Sequence, residues 1–191
     1  MLRPLPTAFG LPATGLRLEV LMPIVRFINM LSLWSGRAGA LIVLPLVLAM
    51  VFEVVSRYFF AAPTQWAFEL SYMMMGSIFL FGLSYAVLVN QHVNVDFLHQ
   101  VLPPRGVAII DGIGYVLMAG MMFWVTNALI GNVGSVYRTG EGTGLSAWNP
   151  PVWPYRVIYV VGFGLFALQC LAKAIENLLI VFGYETEGSA R

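Results

Sequence analysis

The sequence predicts an all-α integral membrane protein with four transmembrane helices preceded by an in-plane amphipathic N-terminal helix. Three observations predict it. Of 191 residues, 59% are hydrophobic and only 10% charged, whereas a soluble domain carries about 45–50% apolar and about 25% charged residues. Mean hydropathy is +0.82. Four segments meet the length a helix needs to cross hydrocarbon, about 20 mostly apolar residues, and none has the alternation of barrel strands.

Residues 1–15 are rich in Pro and Gly and lack the compact apolar core of a signal peptide, so a flexible, uncleaved segment is expected. Residues 16–36 come next. Leu18, Leu21, Val25, Ile28 and Leu31 recur at helical spacing, punctuated by Arg17, Arg26, Asn29 and Ser32. An apolar stripe with few charges suits a helix lying in the interface plane; simple extension of the first span is the other reading.

The transmembrane domain, 37–182, holds spans at about 38–56, 68–89, 107–133 and 153–171, the last extending as helix to about 182; 183–191 form a tail. Pro45 inside the first span predicts a bend, because neighbouring helices re-satisfy the carbonyl it frees. Counting Lys and Arg in the flanks orients the chain. Arg3, Arg17, Arg26, Arg37, Arg105, Lys173 and Arg191 lie on one side, and Arg57, Arg138 and Arg156 on the other. This predicts cytoplasmic termini.

Composition excludes several functions. Ten Lys+Arg against nine Asp+Glu leave no basic face for nucleic acid. Lys173 is the only lysine, so no Walker-type phosphate loop is present. Cys170 stands alone in an apolar run and reads as a small hydrophobe, with no internal disulfide and no Cys-rich metal site. His92 and His99 lie outside the spans, which argues against axial haem ligands inside a four-helix bundle.

Ionisable groups within spans are functional candidates by default. Glu53 stands one turn from Arg57 at i,i+4, in the favourable order. It is either a local ion pair with a snorkelling Arg57 or a proton- or cation-coupling site. Beyond Arg57, Pro63 turns the chain, Trp66 and Tyr58 fit an interfacial aromatic belt, and Glu69 falls in the first turn of the second helix, where the dipole favours an anion. Arg57 and Glu69 are expected to clasp this short outer hairpin.

The corner after the second span places His92, Asp96 and His99 four and three apart. Hydrogen bonding at the corner is the default reading; three ligands of one helix face are the metal alternative, and no metal or cofactor is expected. Gly76, Gly82, Ser84, Gly112, Gly114, Gly120, Gly162 and Gly164 let helices approach closely, and Asn127 and Gln169 are candidates for bonds between helices. No line of converging polar groups is expected to cross the four helices, as a transport path would require. The loop before the last span, with Trp148, Pro150, Pro151 and Trp153, makes a stiff amphipathic rim that serves as a docking surface or a lipid anchor.

The cluster Arg57-Tyr58, Pro63, Trp66, Glu69, followed by His92-Val93-x-Val95-Asp96, resembles the signature of the small (Q, or DctQ-type) permease subunit of TRAP transporters, the tripartite ATP-independent periplasmic transporters of bacteria. Trp148-Asn149-Pro150-Pro151-Val152-Trp153-Pro154 and Leu168-Gln169 resemble the subgroup for mannitol, chloroaromatic or 2-oxo-acid uptake. The resemblance covers about residues 25–182. It implies a non-catalytic subunit of the inner membrane, with an in-plane helix and four spans. Such a subunit scaffolds a large M permease subunit that carries the substrate and sodium sites, while a periplasmic receptor delivers the solute. Two other classes stand beside it: a self-sufficient small transporter using Glu53 for coupling, which predicts activity of this chain alone, and the membrane anchor of a redox enzyme, which predicts bound haem or quinone.

Overall fold

A computed structural model describes residues 15–91 and 103–182. Four helices account for nearly all of them: α1 Gly15–Phe59, α2 Trp66–Leu88, α3 Pro104–Thr139 and α4 Trp153–Val181. Each is long and apolar enough to cross a membrane, and each corresponds to one of the four expected spans.

The segment expected in the plane of the membrane is continuous with the first span, as the other reading had it. α1 is one uninterrupted helix of 45 residues, running through Pro23 and Pro45, and no boundary falls at residue 36. The physical reason lies in which side is buried. Val25, Ile28, Ser32 and Ser35 face the bundle, while Ile24, Phe27, Met30 and Trp34 are exposed. Asn29 and Ser32 bond to Gln169 of α4 while Arg26 stays exposed, so this side of the segment packs against the bundle. At 1.5 Å per residue α1 measures roughly 67 Å, about twice the thickness of the hydrocarbon core.

α1 and α2 form one antiparallel hairpin, α3 and α4 another, and α2 and α1 both pack on α4. α4 is the most enclosed, with 44% of its most apolar stretch buried against 17–22% in the other three. Two glycines make this possible. A Cβ on Gly162 would lie 2.7 Å from Leu80 Cβ, and one on Gly76 would run into the Tyr155 hydroxyl; without them α2 and α4 could not approach so closely. Val87 of α2, Ala119 of α3, and Phe166 and Cys170 of α4 form one core cluster, and Val25, Ile28 and Ala172 another between α1 and α4. Gly82, Gly114 and Gly120 have open space where a Cβ would stand.

The helix ends follow from local chemistry. α1 stops where Ala61 takes φ +51° ahead of Pro63; the Ala62 amide then donates to the Ser56 carbonyl at 3.1 Å and the Ser56 hydroxyl to the Ala62 carbonyl at 2.7 Å, satisfying terminal groups the helix leaves open. Pro104 opens α3, and Gly140 closes it at φ +64°. Asn90 reverses the chain after α2 at φ +55°, a conformation Asn tolerates better than most residues.

Candidate functional site

Polar side chains concentrate at two levels of the bundle. At the first, here the Glu53 end, two carboxylates meet the two loops. Glu53 Oε1 accepts from Arg57 Nε at 3.0 Å and from Arg57 Nη2. Its Oε2 accepts from the Thr64 amide at 2.9 Å and from the Thr64 hydroxyl. Both oxygens of a nearly buried carboxylate are therefore occupied by groups that fix the α1–α2 connection. Donors on both oxygens and an adjacent guanidinium satisfy this carboxylate.

Glu69 does something the sequence did not suggest. It does not meet Arg57, which binds Glu53; the expected Arg57–Glu69 clasp is replaced by Glu53–Arg57–Thr64. Glu69 is fully buried and its Oε2 accepts from the Thr143 hydroxyl at 2.7 Å, tying α2 to the α3–α4 loop. Its Oε1 is buried without a partner among the described residues. Trp66 stacks on Phe52 with ring centroids 5.8 Å apart, and the Ala147 amide donates to Gln65 Oε1 at 3.4 Å. The two loops at this end thus form one surface.

The rim residues shape that surface. The Thr143 amide donates to the Pro150 carbonyl at 3.1 Å, the Val152 amide to the Glu141 carbonyl at 3.0 Å, and Gly142 bridges Pro151. The Gly144 amide donates to Asn149 Oδ1 at 2.8 Å. Pro150 and Pro151 therefore belong to a closed, ordered loop. Trp153 meets Tyr137 edge to face at 5.6 Å. Trp148 and Trp153 remain 45% and 38% exposed, enough area to touch lipid or another chain.

The second level, the Lys173 end, joins α1, α2 and α4. Ser32 donates to Gln169 Oε1 at 2.7 Å, and Gln169 Nε2 donates to Asn29 Oδ1 at 2.9 Å. Asn29 Nδ2 donates to Glu176 Oε1 at 3.4 Å, and Lys173 Nζ to Glu176 Oε2 at 3.0 Å. Ser35 and Ser84 meet at 2.8 Å, and Ser35 also donates to the Phe81 carbonyl at 3.1 Å. Gln169, Ser32 and Ser84 are fully buried.

This network gathers polar groups from three helices at one level of the bundle. Gln169 was legible as an inter-helix residue; its partners, more than 130 positions away, were not. Asn127, the other candidate, lies on an exposed face of α3. The network does not connect the two ends, however. From Gly36 to Phe52, α1 carries Arg37 as its single polar side chain, and Arg37 is exposed. His92, Asp96 and His99 lie outside the described residues. Among the described residues no cluster of His, Cys, Asp or Glu could hold a metal ion.

The family described as tripartite ATP-independent periplasmic transporters, DctQ component, matches residues 46–179. The sialic acid TRAP transporter permease protein SiaT of Haemophilus influenzae (strain 86-028NP) is 28% identical over 81 residues. That match covers 42% of this chain but only 13% of the relative, so the chain spans a small part of the longer protein. No solved structure matches.

Proposed function

We propose, because the chain belongs to the DctQ component family of tripartite ATP-independent periplasmic transporters, that this small permease subunit acts by scaffolding a large permease subunit in the bilayer. The family is one of transporter components and not of enzymes. In the proposed assembly the large subunit moves a small organic acid or related solute, driven by an ion gradient, after a periplasmic receptor has delivered it. The membrane is the bacterial inner membrane, with both termini cytoplasmic, so the Glu53 end faces the periplasm and the Lys173 end the cytoplasm.

One observation carries the scaffold role. The side-chain bonds that join helix to helix or loop to helix lie at two separate levels with an apolar stretch of α1 between them, and Ser77 and Thr126 bond only to carbonyls of their own helices. A solute path calls for polar groups near the middle of the bilayer. Glu53 supports the same reading, because Arg57 and Thr64 occupy both its oxygens. The match to a much longer permease chain adds weight, since there a related segment belongs to a larger membrane protein.

Co-purification tests the proposal. With the chain tagged and expressed beside a multi-span TRAP permease, the two elute together after mild solubilisation; a tagged chain that elutes alone under every mild condition contradicts it. The Trp148 and Trp153 rim is proposed to meet the receptor. Replacing both by Ala lowers receptor-dependent uptake while the membrane pair stays intact, whereas unchanged uptake makes the rim a lipid anchor.

A further inference from the structure

Arg37 is a charge in an unusual place. Ser35, two positions before it, meets Ser84 at 2.8 Å, and α2 runs on from Ser84 to Leu88. Because α1 and α2 are antiparallel, Arg37 stands roughly 9 Å toward the bilayer centre from the end of α2, at 1.5 Å per residue. It is exposed, on the side of α1 turned away from the bundle. Among the described residues no carboxylate pairs with it; its guanidinium instead lies over the Trp34 ring, 5.3 Å from the centroid.

Helical side chains lean toward the N-terminus, so Arg37 reaches past Trp34 toward the near headgroup layer. A cation held there, with its stem in hydrocarbon, calls for an anion at headgroup depth. On the other side, exposed Leu41, Leu44 and Leu48 continue the same face of α1 toward the bilayer centre. The three parts form a series: an exposed indole, a guanidinium, then an apolar strip long enough for an acyl chain.

We propose that Trp34, Arg37 and the Leu41–Leu44–Leu48 strip bind an anionic phospholipid, its phosphate on the Arg37 guanidinium and one acyl chain along the leucines. Charge complementarity selects this occupant: the guanidinium binds phosphate through paired N–H donors, and the leucines offer nothing to a polar ligand. The assignment rests on the membrane-spanning reading of α1 and not on the scaffold role.

The test uses the full chain purified in neutral detergent, with native mass spectrometry in an equimolar mixture of phosphatidylglycerol and phosphatidylcholine of identical acyl chains. The wild-type chain retains phosphatidylglycerol in preference to phosphatidylcholine. Arg37→Gln lowers that preference about fivefold, the factor one basic residue contributes beside an anionic surface. Arg37→Lys, which keeps the charge and serves if the Gln variant fails to fold, holds most of the preference. Equal retention of the two lipids by the wild-type chain, an unchanged preference in Arg37→Gln, or complete loss in a folded Arg37→Lys would each overturn the proposal. Because the chain is tested alone, failure of the scaffold reading leaves this result unaffected.

Discussion

At the Glu53 end, a carboxylate holds groups four and eleven residues away, Arg57 and Thr64, and fixes the loop in which the second of them lies. At the Lys173 end, Gln169 and Glu176 hold Ser32 and Asn29, between 137 and 147 residues away, and so join the first helix to the last. The first set shapes a surface at the end of the helices. The second ties α1 and α2 to each other and α1 to α4. Glu69 is the exception that links these roles, reaching from α2 to Thr143 across 74 residues. Loss of contacts of the first kind is expected to leave the bundle intact, and loss of contacts of the second kind to loosen it.

The largest expected effect comes from the close approach of α2 and α4, between the two ends. Gly162→Leu drives a side chain into Leu80, whose Cβ is already 2.7 Å from the position of a Cβ there. Overpacking of this kind costs about 1–3 kcal/mol or more, and a marked fall in the melting temperature of the detergent-solubilised chain is the readout. An unchanged melting temperature would mean that the two helices do not meet there.

Thr143→Val comes next. It removes the donor to Glu69 and leaves a buried carboxylate with neither oxygen paired among the described residues, a penalty of about 1–3 kcal/mol. Limited proteolysis should then cut the 140–152 loop faster than in the wild type. Gln169→Leu at the other end strands Asn29 and Ser32, and bonds between membrane helices contribute on average about 0.6 kcal/mol, with a maximum near 1.7. Cross-linking between cysteines placed at positions 25 and 172 should weaken in that variant, while the loop stays protected. If Thr143→Val loosened α1 from α4, or Gln169→Leu exposed the loop, the two ends would not be independent and the comparison would fail.

Glu53→Gln is the smallest. The Arg57 side chain is 56% exposed, so its surroundings screen the ion pair, and Gln can still accept from the Thr64 amide. A slight drop in melting temperature is expected, with substrate selectivity of the assembled transporter unchanged. A change in selectivity would reinstate Glu53 as a coupling group.

How much of this the sequence reveals follows from the same contrast. The four helices are legible because apolar length alone dictates them. Glu53–Arg57 is legible because both residues share one helix face. The Arg57–Glu69 clasp was misplaced because nothing local says that Thr64 completes the Glu53 joint, or that Thr143 descends to Glu69. The N-terminal half of α1 is ambiguous for a different reason. Its periodicity is genuine but fits either an in-plane helix or an extension of the first span, and nothing local shows that Asn29, Ser32 and Ser35 find partners inside the bundle. Gln169 announced itself as a polar residue in a span; only the fold supplies its partners.

The most direct test of the scaffold role is solute flux in proteoliposomes carrying an imposed ion gradient. Three preparations are compared: this chain alone, the large permease subunit alone, and the pair, each with the soluble receptor outside. The account predicts uptake from the pair and none from this chain by itself. Gradient-driven uptake by this chain alone, lost in Glu53→Gln, would contradict it.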